Sequence, residues 1–449
     1  MISDKLYYDA LAYMKRNGAL FFEMYFDKTT THDFALSGGC VTQKTDSHYG
    51  VSVRSFDGNK HLFVSTDDLS ESNLWSVIHD LAKQSTKDSP KKFFAKTFGF
   101  DSVRTVNYPY DWNSSQDDVL KVLMEEHDAH NSINKIKLKT NCFIQEQEIK
   151  ILSSYNGVIC DNRSRCCIKT DVESSDGSSS SILTPLSMDD FLSRIKTERI
   201  ANLSPGSIRT RKTCPTGVFD VILQSGGAAL FFHECCGHPL EIQNAANKNS
   251  IFYNKIGTRI SNECITLIDN GSLKDLWGTI SNDDEGNQAK KNVLIQDGIL
   301  VGYLSDLIYG YRLDMKPTST TRRQSYKHIP SARMTNTFVA KGNCKESDII
   351  DNTKSGLIIH SFHLGNVNPV TGDFRVNIVS GSFISNGIIG DSFYGGVIYA
   401  NALEILSHID MVADNVKFTN GFCFASSGRI PVSGGQPTIR IKNVSVYSK

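Results

Sequence analysis

Two histidines and a glutamate occur within one short segment, His233-Glu234-Cys235-Cys236-Gly237-His238. An imidazole nitrogen is a good zinc ligand, and a carboxylate beside such a ligand can accept a proton from water. In the common helical pattern, H-E-x-x-H, the histidines are four residues apart, whereas His233 and His238 are five apart. Five residues rotate a helix by about 140° beyond a full turn, so on a straight α-helix the two rings would point apart. If both rings bind one metal, the segment must widen into a π-type turn or end its helix between them.

The residues around the second histidine permit either solution. Gly237 relaxes the backbone immediately before His238, and Pro239 prevents a regular helix from continuing. Single π-type turns are rare and gather at functional sites. The competing interpretation is structural: two histidines would cap a buried helix end while Glu234 points into solvent.

Length and charge limit the classes of protein to consider. A chain of 449 residues is too long for one ordinary core, so two domains are expected. Hydrophobic residues make up 39% and charged residues 21%, which is typical of a globular protein. Lys plus Arg equals Asp plus Glu, at 48 each, so no overall field attracts nucleic acid or an anionic membrane. No apolar run reaches the roughly 18 residues that span a bilayer. From the charge balance and the missing apolar run together, we expect neither a nucleic-acid nor a membrane partner.

The number and spacing of the cysteines indicate in which cellular compartment the protein is expected. There are 11 cysteines, an odd number, and they include the adjacent pairs Cys166-Cys167 and Cys235-Cys236. That spacing suits free thiols or metal ligands in a reducing compartment better than a disulfide framework. No apolar signal core follows the first five residues. The sequence therefore predicts a cytoplasmic protein.

Helix-like and strand-like segments alternate in the first half of the chain. Apolar spacing predicts helices over residues 5–16 and 115–131, and strands over residues 19–25 and 50–56. After Glu241, short strand-like segments alternate with Gly and Asn turns as far as the C-terminus.

We expect an α+β protein with two domains. Residues 1–205 would form an N-terminal α/β, sandwich-like domain that serves dimerisation or enclosure. Residues 206–449 would form a strand-rich, mostly antiparallel domain that carries the histidine helix. The boundary is predicted at Ser204-Pro205-Gly206, where turn residues cluster.

A catalytic zinc site usually has three protein ligands and one open position, so a third ligand is needed. Spacing alone does not choose among the candidates. Cys235 and Cys236 cannot easily share a metal with their helical neighbours, and a lone cysteine is more often a small core residue. The candidates are Cys423, His328, His360, His363, Cys235 and Cys236.

The segment from Thr321 to Thr337 is dense in hydrogen-bond donors. Arg323, Tyr326 and His328 are candidates for orienting a peptide or stabilising an oxyanion. The alternative is a solvated basic loop, and composition favours neither.

Several segments together resemble the TldD/PmbA metallopeptidases, in their zinc-bearing, TldD-like branch. The first is the H-E-x-x-x-H run at residues 233–238, and the matching segments occur in order over roughly residues 215–442. The others are Leu240-Glu241, Arg322-Arg323-Gln324-Ser325-Tyr326, Arg333-Met334-Thr335-Asn336-Thr337, Asn368-Pro369-Val370-Thr371-Gly372-Asp373-Phe374, Gly421-Phe422-Cys423 and Gly435-Gln436-Pro437-Thr438-Ile439-Arg440.

This resemblance implies a site and an activity. It implies a Zn²⁺ ion held by His233, His238 and Cys423, with Glu234 as the general base toward a metal-bound water. It implies hydrolysis of peptide bonds in unfolded or extended peptides. It also implies that the site is enclosed in a homodimer, or in a heterodimer with a metal-less paralogue. Cys235-Cys236 departs from the family pattern, because small apolar residues are common there.

Two other functions are consistent with the sequence. The chain could be a non-catalytic peptide-binding or scaffold subunit of a TldD/PmbA-type complex. It could also be a metal-dependent hydrolase of a bond other than the peptide bond. Zinc content and the products formed from denatured casein would separate these possibilities.

Overall fold

The computed structural model describes residues 4–86, 104–107, 110–112, 115–131, 136–174, 177–203, 212–227, 229–363 and 367–449. Within these residues the chain forms nine α-helices and 23 β-strands. The helices are α1 (Asp4–Arg16), α2 (Glu71–Gln84), α3 (Gln116–Asn131), α4 (Met188–Leu203), α5 (Ala229–Phe232), α6 (Ile242–Ala246), α7 (Leu307–Leu313), α8 (Glu346–Asp351) and α9 (Ala402–His408). None of the described helices is long and apolar enough to cross a membrane.

Seven strands of the first half form one sheet, in which β4 pairs in parallel with β6 and the other neighbours are antiparallel. The order along the sheet is β3-β2-β1-β5-β6-β4, and β7 also pairs with β6. The strands are β1 (Phe21–Ser37), β2 (Cys40–Phe56), β3 (His61–Thr66), β4 (Arg104–Asn107), β5 (Ile136–Ser153), β6 (Gly157–Ser174) and β7 (Gly177–Leu183). β1 and β2 are joined by Gly38-Gly39, whose φ angles of 57° and 77° suit a tight hairpin turn.

Alternation along β1 separates the two faces of this sheet. Phe22 and Met24 pack with α1 and α2, and Phe34, further along the same face, packs with α3 and α4. The intervening residues, including Glu23 and Tyr25, face the second half of the chain. The predicted sandwich-like N-terminal domain stays a prediction. In the described part of the first half, one sheet has helices on one face and the second half of the chain against the other.

The second half is rich in strands and mostly antiparallel. Its strands are β8 (Lys212–Thr213), β9 (Gly217–Leu223), β10 (Leu267–Asn270), β11 (Lys291–Gln296), β12 (Ile299–Leu300), β13 (Thr321–Arg322), β14 (Ser331–Ala332), β15 (Asn336–Val339), β16 (Ser355–His363), β17 (Asp373–Ser385), β18 (Ile388–Tyr394), β19 (Val397–Asn401), β20 (Ile409–Val412), β21 (Lys417–Ala425), β22 (Gly428–Gln436) and β23 (Ile439–Tyr447). They form an eight-stranded sheet (β16-β9-β23-β19-β17-β18-β8, with β20 on β23), a six-stranded sheet (β12-β11-β10-β15-β22-β21) and the pair β13-β14. The predicted strand-rich α+β class is confirmed.

No described strand of the first sheet pairs with a strand of the second half. The predicted boundary at Ser204-Pro205-Gly206 lies outside the described residues. The largest described core cluster belongs to the second half and includes Phe232, Cys236, Leu240 and Met334, which are all buried around the histidine segment.

Buried charges join the two halves. Arg323 Nη2 lies 2.6 Å from Glu23 Oε1, and Arg54 Nη2 lies 3.0 Å from Glu23 Oε2 and 2.7 Å from Glu285 Oε1. All four side chains are at most 1% exposed. Such charges are tolerated inside a protein only when they are paired, so this network holds the first sheet in one position against the second half.

Candidate metal centre

The backbone between the two histidines is a π-type turn. α5 is followed directly by this turn over His233–Gly237, and the His238 N–H donates to the His233 carbonyl oxygen, five residues earlier. A 3-10 turn over His238–Leu240 follows and contains Pro239. Of the two solutions that the five-residue spacing allowed, the structure has the widened turn.

Gly237 is required by packing at this turn. A Cβ atom added there would lie 1.9 Å from the Met334 sulfur, far inside van der Waals contact. Met334 is fully buried and belongs to the same core cluster as Cys236. A glycine therefore lets the turn lie directly against Met334.

The turn brings both rings to one sulfur atom. His233 Nε2 lies 3.1 Å and His238 Nε2 lies 3.2 Å from Cys423 Sγ. The three potential ligand atoms all lie within 4.8 Å of one another. Cys423 is on β21, 190 residues after His233. Among the described residues, this is the one group of three or more His, Cys, Asp or Glu side chains with that geometry.

These three residues fit a zinc ion. Two imidazoles and a thiolate are a donor set that zinc accepts, and they leave a fourth tetrahedral position open. Bond lengths of about 2.0–2.1 Å to nitrogen and about 2.3 Å to sulfur put tetrahedral N and S ligands about 3.5 Å apart. The observed separations of 3.1 and 3.2 Å are within a few tenths of an ångström of that value.

The environment of Cys423 favours the thiolate, which is the form that binds metal. Burial alone would raise the pKa of this thiol, but His233 and His238 reverse the effect and lower the pKa to about 4. The sulfur is thus an anion at neutral pH.

His238 is oriented by a carboxylate. Glu241 Oε1 lies 3.1 Å from His238 Nδ1, which leaves Nε2 facing Cys423. Burial alone would lower the pKa of His238, but Glu241 and Cys423 raise it well above its ordinary value. A carboxylate on the second nitrogen of a ligand histidine is a recurring arrangement in metal sites. The second nitrogen of His233 is buried and has no hydrogen-bond partner among the described residues.

Glu234 lies at the edge of the site. One of its oxygens is 3.9 Å from His238 Nε2, and its side chain is 26% exposed. A carboxylate beside the ligand atoms and open to solvent is placed to take a proton from a water molecule. The competing interpretation, in which two histidines cap a buried helix end and Glu234 points into solvent, agrees with this partial exposure but does not explain why both rings lie against Cys423 Sγ.

Arg333 was not singled out from the sequence, yet it contacts the site directly. Its Nη2 donates to Cys423 Sγ at 2.9 Å, and its Nε lies 3.3 Å from Glu241 Oε1. The second contact is an ion pair whose angle is too poor for a hydrogen bond. Two sequence signals included it, the donor-rich segment and the family-like run Arg333-Met334-Thr335-Asn336-Thr337, but neither assigned Arg333 a role at the metal site.

The other candidate ligands lie elsewhere. Cys235 and Cys236 are part of the turn, but their side chains are buried in the core, and burial raises the pKa of Cys236 to about 12. His360 contacts Gln224 and Ser382 through its two ring nitrogens. The side chain of His363 is outside the described residues.

The structure corrects the expectation for the donor-rich segment. Arg323 is fully buried and bonds to Glu23 and Ser52, while Tyr326 is 2% exposed and its N–H donates to Asp27. Both residues therefore belong to the contact between the halves, where a peptide cannot reach them. The alternative of a solvated basic loop is also wrong, because most of the segment is buried.

His328 remains partly exposed, and its Nδ1 lies 3.0 Å from Ser325 Oγ. It does not belong to the three-ligand cluster. Its predicted contact with substrate is not tested by this geometry.

The chain is similar to proteins of the TldD/PmbA type. Residues 216–448 match the model of the PmbA/TldA metallopeptidase C-terminal domain. A metalloprotease TldD homolog from Buchnera aphidicola subsp. Acyrthosiphon pisum is 28% identical over 454 residues, which cover 94% of this chain and 92% of the relative. A zinc metalloprotease TldD homolog from Saccharolobus solfataricus is 28% identical over 250 residues, which cover 56% of this chain and 55% of the relative.

Solved structures share the fold. TldE from Thermococcus kodakarensis superposes with a TM-score of 0.74 at 15% identity, over 98% of this chain and 99% of that one. A Thermotoga maritima protein, described as a candidate modulator of a DNA gyrase, gives 0.79 at 16% identity over 99% and 100%. At such identities the likeness concerns the fold alone. Because the family model matches more than half of the chain, this protein belongs to the TldD/PmbA metallopeptidase family.

Proposed function

We propose that this chain is a zinc-dependent peptidase. The observation that carries the proposal is the meeting of His233, His238 and Cys423 within 4.8 Å, with Glu234 at the edge of the same site. The name of the Saccharolobus solfataricus relative, a zinc metalloprotease, supports zinc as the ion.

Each side chain has a distinct part in the proposed reaction. A bound zinc ion would polarise the scissile carbonyl and lower the pKa of water. His233, His238 and Cys423 would hold the ion, while Glu241 keeps the His238 ring in the orientation that turns Nε2 inward. Glu234 would accept the proton of the attacking water at a carboxylate oxygen and pass it to the leaving amine.

The position of β21 supports an extended peptide as the substrate. This strand carries Cys423 and is the last strand in the order of the six-stranded sheet, where it pairs with β22. A peptide that adds to such an edge is held through backbone hydrogen bonds, so side-chain sequence matters little. Most backbone N–H and C=O groups of a folded protein are already paired, so unfolded chains would be preferred.

We also propose that the site is enclosed by a second subunit, either another copy of this chain or a metal-less paralogue. The family resemblance is what supports this proposal, since it implies a site enclosed between two subunits. Light scattering of the purified chain is expected to give a dimer mass. A monomer that is fully active alone would contradict the enclosure.

Replacing Glu234 tests the peptidase proposal. Glu234→Gln keeps the size of the side chain but removes the base, so hydrolysis of unfolded casein should fall by about 10²–10⁴-fold. Zinc content should stay at the wild-type level, because Glu234 is not a ligand. Glu404→Gln, on the exposed surface of α9, is the matched control and should remain fully active.

Two outcomes would contradict the proposal. Full hydrolytic activity in Glu234→Gln would remove the assigned base. Zinc-loaded wild-type protein that binds denatured casein without cutting it would favour the scaffold function instead.

A further inference from the structure

Arg333 contacts the metal site at two places, the sulfur of Cys423 and the carboxylate of Glu241. Its side chain is completely buried. One terminal nitrogen donates to Cys423 Sγ at 2.9 Å, and the other donates to Ser427 Oγ at 2.8 Å. Its Nε lies 3.3 Å from Glu241 Oε1. A single guanidinium thus joins a ligand sulfur to the carboxylate that orients a ligand histidine.

We propose that Arg333 is a positioning residue that holds the Cys423 thiolate and the Glu241–His238 pair in the arrangement that binds zinc. It also withdraws charge from the sulfur and so strengthens the ion as a Lewis acid. This inference rests on the proposed zinc site and assigns to Arg333 an effect on the zinc affinity and the Lewis acidity of that site.

The charges explain why a buried arginine is stable here. A buried cation is costly unless anions surround it, and the Cys423 thiolate and the Glu241 carboxylate are both within 3.3 Å. The guanidinium is planar and donates in fixed directions, so its hydrogen bonds to Cys423 Sγ and Ser427 Oγ set its orientation, and its charge attracts the Glu241 carboxylate to the same place. A lysine would supply the charge but not that geometry.

The hydrogen bond to sulfur has a consequence for the metal. A thiolate donates more charge to zinc than an imidazole does, which makes the ion a weaker Lewis acid. An N–H donor on the sulfur takes back part of that charge. Arg333 therefore offsets the disadvantage of having a thiolate in a hydrolytic site.

The backbone holds Arg333 in place from the same short segment that shapes the turn. Its N–H donates to the Thr320 carbonyl at 3.0 Å. The next residue, Met334, is the one that packs on Gly237, and the preceding residue, Ala332, accepts a hydrogen bond from Gln243 at 3.1 Å. Three consecutive residues thus contact the elements around His238 and the sulfur of β21.

Metal affinity and the spectrum of a cobalt-substituted protein test the inference. In Arg333→Lys, zinc affinity measured by competition with a chelator should fall about 10–100-fold, as is typical when a partner of a ligand is changed. With Co²⁺ in the site, the sulfur-to-cobalt charge-transfer band should move to longer wavelength, because the sulfur donates more strongly. A defect in folding alone would not move this band.

Two further variants complete the test. Arg322→Lys is the matched control, because Arg322 is also buried but donates to the Met334 and Pro431 carbonyls. It should keep the wild-type band. Ser427→Ala removes one bond that orients Arg333 without changing charge, so it should shift the band slightly in the same direction, even if Arg333→Lys does not fold.

Wild-type affinity and an unshifted band in folded Arg333→Lys would overturn the inference and leave the proposed function intact. If Arg333→Lys does not fold, an unshifted band in Ser427→Ala overturns it instead. Wild-type protein that binds neither zinc nor cobalt would overturn the proposed function, and this inference with it.

Discussion

Gly237 determines whether the two histidines can act together, although it binds nothing itself. It ends the π-type turn, and its missing side chain is what allows contact with Met334. The five-residue spacing of the histidines is useful only if that turn forms. The proposed metal site thus depends on a packing contact one residue away from His238.

Gly237→Ala should therefore damage both the fold and the site. The added methyl group would lie 1.9 Å from the Met334 sulfur, so the core must shift. Overpacking of this kind costs roughly 1–3 kcal/mol, measurable as a lower free energy of unfolding in urea. Zinc affinity should fall as well, because the turn carries both histidines.

Two controls separate this clash from a general effect of alanine. Gly390→Ala, where the nearest atom is 3.8 Å away, should change little. Adding Met334→Ala to Gly237→Ala removes the atom that clashes and should restore part of the zinc affinity. If the single variant is as stable and binds zinc as well as wild type, the role assigned to Gly237 is wrong.

At the scale of elements, the main feature is the contact between β1 and the segment that follows β13. Glu23 and Asp27 each follow a phenylalanine on β1, and both are fully buried. Buried carboxylates need partners, and Arg323 and the Tyr326 N–H supply them. This pairing between β1 and the segment after β13 could not be predicted from the sequence, because the paired residues are about 300 positions apart.

Glu23→Gln should destabilise the contact between the halves. The substitution leaves Arg54 and Arg323 buried without the carboxylate that bridges them. Breaking a buried ion pair costs about 3–5 kcal/mol, which urea unfolding would detect.

The exposed pair Lys28–Glu148 gives a matched control, since both side chains are more than half exposed. Glu148→Gln should cost less than about 1 kcal/mol. Equal small losses in both variants would mean that the buried network contributes little to joining the halves.

For the whole molecule, spacing and periodicity over a few residues predicted local structure, whereas contacts between distant residues could not be predicted from them. The spacing of the histidines required a widened turn or a helix end, and the structure has the widened turn. The family resemblance and the strand-rich α+β class are confirmed. Helical and strand periodicity act over a few residues, so they are readable without knowing the tertiary contacts.

What could not be predicted depended on contacts between distant residues. Spacing left Cys423 as one of six candidates, and only the family resemblance favoured it. Arg333 and Arg323 look alike in sequence, yet Arg333 contacts Cys423 Sγ and Arg323 contacts Glu23 of the first sheet. No periodic pattern distinguishes them, since the difference lies in which distant element each one meets.

The most direct test of the account is the zinc content of purified wild-type protein and of Cys423→Ala. We predict about one zinc per wild-type chain. We predict little zinc and no hydrolysis of unfolded casein in Cys423→Ala, with folding checked by circular dichroism. Cys214→Ala should keep both zinc and activity, because Cys214 is a buried cysteine of the same core cluster whose Sγ donates to the Pro215 carbonyl. A folded Cys423→Ala that retains one zinc per chain and full activity would contradict the assignment of this centre.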